Sequence, residues 1–160
     1  SRTSMKSSND LLDSTIFAAR LTGFDRQVPG KSRQTWDQAR GWAVESQRFA
    51  ERIYERDPML QVELLEAMHT VLNLARQVAE GLKVMDEIET PTYRNLAQQR
   101  LQASCDRLQA SHAQLQQLQD QIALAGLEDA QNASGSLPQR LQTLITANKQ
   151  ILEDSNSNPA

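Results

Sequence analysis

Leu101, Leu108, Leu115 and Ile122 recur at seven-residue spacing in the stretch from Thr90 to Ala125. Proline occurs there only at Pro91, and the next glycine is Gly126. An apolar repeat of that period, free of helix breakers, predicts one long α-helix with an apolar stripe down one side. At a rise of 1.5 Å per residue it would be about 50 Å long. The positions beside the stripe modify the picture. Ser104 and Ser111 lie along one edge, Cys105 and His112 along the other. A dimer zipper would want bulky apolar residues at those alternate positions, so the stripe fits the inside of an intramolecular bundle better. Only from Leu115 through Leu118 to Ile122 is it fully apolar, which leaves self-association open through the far end, Leu115 to Leu124.

The same reading yields three helices before this one and one after it. Asn9 is a good N-cap for a short first helix reaching Leu21, with Gly23 as its stop. Leu12, Thr15, Ile16 and Ala19 share one face of that helix, and Phe17, Leu21 and Phe24 lie nearly opposite. A short helix apolar on two sides is either sandwiched in a bundle or bridges to a partner. Residues 24–31 contain Pro29 and Gly30 and predict a loop, after which Ser32 caps a second helix lasting to Arg56.

Small residues, Ala39, Ala43, Ser46 and Ala50, line one side of this second helix. Trp42, Phe49 and Ile53 flank them on one edge, Trp36 and Tyr54 on the other. Small residues along a contact line let another helix approach closely, with the rings closing over its sides. Asp57-Pro58 restarts the chain as N-cap and N1 proline. A third helix then runs to about Ile88 with Leu64, Met68, Val71, Ala75, Val78 and Leu82 on a broad apolar face. Thr90-Pro91 repeats the device. Beyond a break at Gly126 and Asp129 to Ser136, a last helix carries Leu137, Leu141, Leu144, Ile145, Asn148, Ile151 and Leu152 on one side.

The predicted fold is all-α: an antiparallel up-and-down bundle of about five helices, three long and two shorter, with coiled-coil-like packing. Residues 1–8 are expected as a flexible lead-in, 9–154 as one bundle domain and 155–160 as a disordered tail. Composition agrees. Aromatic residues make up 4% of the 160 residues and the charged ones 23%, while straight-chain helix formers dominate. The many Ala and Gln, with Arg well above Lys, have a bacterial look.

Charge removes one class of function. The formal net charge is −3, and no segment concentrates Lys and Arg into the dense basic face that nucleic acid requires. There is no apolar run of membrane-span length and no secretory signal, so no membrane insertion is expected within this segment. Cys105 is the sole cysteine and forms no disulfide within one chain. Cytoplasm and periplasm are both compatible with that.

The search for chemistry finds little. Glu66 and His69 have the Glu-x-x-His spacing that places two metal ligands one helical turn apart. His112, on the next helix, would lie at a similar height in a hairpin. Against a metal site, the partner position Gln109 is a poor ligand, and Glu66 and His69 lie away from the apolar stripe. Cys105 and His112 are seven residues apart, about 10 Å along a helix and too far for a nucleophile–base pair. No phosphate-binding glycine loop or hydrolase motif occurs, and no cofactor is expected.

The leading expectation is therefore a non-enzymatic helical bundle acting through protein–protein interaction, as an adaptor, chaperone-like protein or inhibitor. Its candidate contact residues are Phe17, Leu21 and Phe24 on the first helix, then Trp42 and Phe49 on the second. The alternative is an extracytoplasmic sensor domain excised from a membrane receptor. The absence of an initial Met suits that reading, while short terminal helices ending on opposite sides oppose it. A metal-binding bundle using Glu66, His69 and His112 is the remote third.

Overall fold

Five helices account for most of residues 10–128 and 137–157, the part of the chain described by the computed structural model. They are α1 (Ser14–Asp25), α2 (Arg33–Arg56), α3 (Gln61–Glu87), α4 (Pro91–Ala125) and α5 (Leu137–Ser157). Among the described residues there is no strand. The fold is an all-α bundle in which α3 and α4 run antiparallel, as Gln77–Ser104 and Gly81–Leu101 show, while α2 and α4 run the same way, as Glu45–His112 and Arg56–Gly126 show. The lead-in 1–8, the Asn9 cap, the break at 129–136, the last residues 158–160 and the side chain of Leu137 lie outside the described residues.

Helix α3 is the hub, packed against each of the other four. Its buried residues accordingly cover a little over half of its circumference, from Thr70 and Leu74 on one edge through Leu64, Met68 and Val78 to Leu72 and Ala79 on the other. Helix α4 packs against α2, α3 and α5. Its seven-residue stripe is interior: Leu101, Leu108, Leu115 and Ile122 are all buried. The small-residue line of α2 does what its composition suggests, with Ala39, Ala43, Ser46 and Ala50 fully enclosed. Gly81 serves the same end on α3. A methyl group there would sit 3.2 Å from Leu101 Cδ1, so the glycine lets α4 press close at this level.

Side-chain bonds register the helices. Ser104 Oγ bonds Gln77 Oε1 at 3.1 Å between α4 and α3. His112 Nε2 lies 2.7 Å from Glu45 Oε1 between α4 and α2, with its ring tilted against Phe49 at 5.6 Å. Lys149 pairs with Glu66 between α5 and α3. Gln47, almost fully buried on α2, donates Nε2 to the carbonyl oxygens of Leu12 at 3.0 Å and Leu11 at 3.4 Å. Those carbonyls precede α1 and have no helical partner there, so a buried amide meets a real need.

The helix ends depart from expectation in four places. Helix α1 starts at Ser14, because the carboxylate of Asp13 takes the N–H groups of Thr15 (2.9 Å) and Ile16 (3.2 Å). A turn closed by Asp13 N–H on Asp10 O comes before it and drops Leu11 and Leu12 into the core. Gly23 does not stop α1, which continues to Asp25 with Phe24 packed on the core. The indole N–H of Trp36 bonds Asp25 Oδ1 at 2.5 Å and so fastens this end of α1 to α2. The loop expected over 24–31 shrinks to a few residues before a 3-10 turn at Gly30–Ser32, and the Ser32 side chain makes no capping bond.

Of the tail expected over 155–160, Ser155, Asn156 and Ser157 belong to α5, and the rest lies outside the described residues. Ser and Asn are modest helix formers, and the first true breaker in this stretch is Pro159. Elsewhere the expected prolines and the Asp57 cap hold, though the Thr90 side chain makes no capping bond. The carboxylate of Asp57 accepts from Met59 N–H, Pro58 opens a 3-10 turn into α3, and Pro91 opens the 35-residue α4.

Ser111 is an exception to good polar pairing. Its side chain is fully buried in α4, and its hydroxyl has no hydrogen-bond partner among the described residues. An unsatisfied buried hydroxyl costs free energy, and alanine is also the better helix former. Ser111→Ala should therefore raise stability by about 1 kcal/mol, read as a higher urea midpoint. An unchanged or lower midpoint would mean that the hydroxyl is bonded after all.

Candidate functional site

The five residues singled out for partner contact are placed inward. Phe17 is 1% exposed, Leu21 0% and Phe49 6%, so these three are core residues and not surface anchors. Phe24 and Trp42 are half-buried and packed on the same core. The reason is topological. Helix α1 lies against both α2 and α3, and α2 is covered by α1, α3 and α4 together. The rings flanking the small-residue stripe are thereby roofed by neighbours. On α1 the second face is only partly used: Ile16 packs on the core while Thr15 and Ala19 are exposed.

At the far end of α4 most of the expected contact residues also turn inward. Leu115, Leu118 and Ile122 are buried within the chain's own core, and only Leu124 of that group is exposed. The residues of the metal hypothesis are not brought together either. Glu66 is paired with Lys149, His112 faces Glu45 on α2, and His69 is exposed. Among the described residues, no three His, Cys, Asp or Glu side chains form a group able to hold a metal ion. Cys105 is half-buried, and burial, followed by the neighbouring Asp106 carboxylate, pushes its thiol pKa up. That favours the protonated thiol over the nucleophilic thiolate.

Large apolar side chains are instead exposed at one end of the bundle. Met59 is 88% exposed, Val62 69%, Leu124 58% and Leu127 86%. The α3–α4 register set by Gln77–Ser104 and by Gly81–Leu101 puts all four at the end where α3 begins and α4 finishes. The corner between α2 and α3 is close by, since a methyl on Gly126 would sit 2.8 Å from Arg56 Nη1. Arg56, Asp57 and Glu128 adjoin these apolar residues along the chain. Burying such side chains in a contact would release about 25 cal/mol for each Å² of apolar surface covered.

At this end the sequence singled out only Leu115 to Leu124, as a route to self-association, and Met59, Val62 and Leu127 escaped it because they lie off the buried stripes. At about 100° per residue, Val62 points roughly 200° away from Leu60, and Leu124 roughly 200° away from Ile122. That mismatch was the available signal: an apolar residue off the core stripe, repeated on two helices that end together.

No helix among the described residues is long and apolar enough to cross a membrane. Comparison of the chain with models of known protein families, with curated proteins and with solved structures found no match.

Proposed function

We propose that this protein is a non-enzymatic binding module, of adaptor, chaperone-like or inhibitor type, that docks another protein on the apolar end of its bundle. The observation that carries the reading is the exposure of Met59, Val62, Leu124 and Leu127 at one end. Single exposed apolar residues such as Val44, Val84, Tyr93 and Leu96 are ordinary on protein surfaces, but the most exposed aliphatic side chains among the described residues gather at this end, which favours a contact surface. The side-chain chemistry is consistent with this role. Three carboxylates and one imidazole are engaged in structural pairs between elements, Glu45–His112, Lys31–Asp86 and Glu66–Lys149.

The test is a pair of charge substitutions, Met59→Asp and Leu127→Asp, at positions too exposed to disturb the core. Stability should change by no more than about 0.5 kcal/mol. Proteins cross-linked to the wild-type chain in its native host should be lost from both variants. Should a second copy be the partner, the wild type would show a concentration-dependent mass that the variants lack. Identical cross-linked products for wild type and variants, or none with either, would overturn the assignment.

A further inference from the structure

At the opposite end of the molecule, the start of α2 and the hairpin of α3 and α4 enclose an open cleft of about 390 Å³. Leu82, Met85, Leu101 and Cys105 give it an apolar floor, and the close approach of Leu101 to Gly81 seals that floor. Lys31, Ser32, Thr35, Arg94, Gln98 and Gln102 supply a polar rim, together with Asp86. Small-ligand sites have this build: a concave apolar surface with a few convergent polar groups, in a volume of roughly 300–1,000 Å³.

Charge indicates the polar end of an occupant. The rim holds two cations, Lys31 and Arg94, against one carboxylate, Asp86. Lys31 Nζ lies 2.6 Å from Asp86 Oδ1, but both side chains are largely open to water, at 67% and 42% exposure. An ion pair so exposed adds little stability, and a second carboxylate could share the ammonium at small cost. Arg94 donates Nη1 to the carbonyl oxygens of Ile88 at 3.0 Å and Met85 at 3.4 Å, at the end of α3. Among the described residues nothing accepts from its other two nitrogens. A guanidinium held in place by one nitrogen, with further N–H groups to offer, is suited to receive a carboxylate.

We infer that this cleft binds a medium-chain fatty carboxylate, with its hydrocarbon chain on Leu82, Met85 and Leu101 and its head group between Lys31 and Arg94. Cys105 at the floor is the chain's only cysteine and provides a native reporter. A bound chain would cover the thiol without reacting with it.

Octanoate and octanol, as ligands with charged and neutral heads on the same chain, test the inference on the intact protein. Octanoate should shift backbone amide NMR signals saturably over residues 82–105 and slow the reaction of Cys105 with an aromatic disulfide. Octanol should bind more weakly. Arg94→Gln should weaken octanoate by about tenfold, the value of one charge-assisted hydrogen bond, Lys31→Gln by about threefold, as suits an exposed ion pair, and both should leave octanol unchanged. Lys31 guards the argument should Arg94→Gln loosen the hairpin. The inference fails if octanoate gives no saturable shift there, if octanol binds equally well, or if Lys31→Gln binds octanoate like the wild type.

Discussion

Trp36→Ala should lower the unfolding free energy by about 3–5 kcal/mol, the largest loss expected from any single truncation in this chain. Trp36 is fully buried and is the largest enclosed side chain, so alanine would leave a cavity as well as lost transfer energy. Its indole N–H also meets Asp25 at the end of α1, and the loss would loosen that helix together with the core. Small domains are stable by only about 5–15 kcal/mol in total, so the variant should melt far below the wild type in urea. Trp36→Phe separates the two contributions. It keeps most of the apolar volume and removes the donor, leaving the partly solvated Asp25 carboxylate to Arg33 and Arg40, 3.9 and 3.8 Å away, at a cost of about 1 kcal/mol. Equal losses for the two variants would show that the hydrogen bond, and not the ring volume, governs this corner.

Leu108→Ala should cost about 2–5 kcal/mol, whereas Leu124→Ala on the same helix should stay within about 0.5 kcal/mol of wild type. Leu108 is fully buried in the middle of the seven-residue stripe, while Leu124 is 58% exposed near its end. The contrast examines what the repeat is for. If the stripe is filled from within the same chain, the melting temperature of Leu108→Ala will be low and independent of protein concentration. A zipper between chains would instead make the deficit shrink as concentration rises, because mass action then contributes to stability. Denaturant melts at two protein concentrations decide between them.

Much of this architecture was legible in the residues, for identifiable reasons. The cap-plus-proline pairs Asp57-Pro58 and Thr90-Pro91 mark the starts of the α3 segment and α4 because proline there gives up an N–H that has no helical partner. The stripes of α2, α3 and α4 come from a period that any amphipathic helix must keep. The end of α1 was misread because a glycine in ordinary helical geometry terminates nothing, and Asp25, which holds that end, has its partner eleven residues away at Trp36. Gln47 was missed for a similar reason. Its value lies in unpaired carbonyls at Leu11 and Leu12, which are distant in sequence.

The contact surface was harder to read. Whether Phe17 or Phe49 faces solvent depends on which helix covers it, and a single helix's periodicity carries no record of its neighbours. Exposure at Met59 and Leu127 likewise depends on where two helices end relative to each other. Registers set by pairs such as Ser104 with Gln77 determine that level. Local pattern therefore locates the buried faces well and the outward-facing ends poorly.

The central place of α3 carries one more consequence. Because it packs against α1, α2, α4 and α5 alike, no cut through the chain yields two halves that each keep a complete interior. A fragment ending before Gln61 would hold two helices with their small-residue seam open to water. One starting after Glu87 would carry the α4 stripe with most of its covering gone. The bundle is in this sense indivisible, and insertions or fusions are best tolerated at its corners and ends, where the hub is not interrupted.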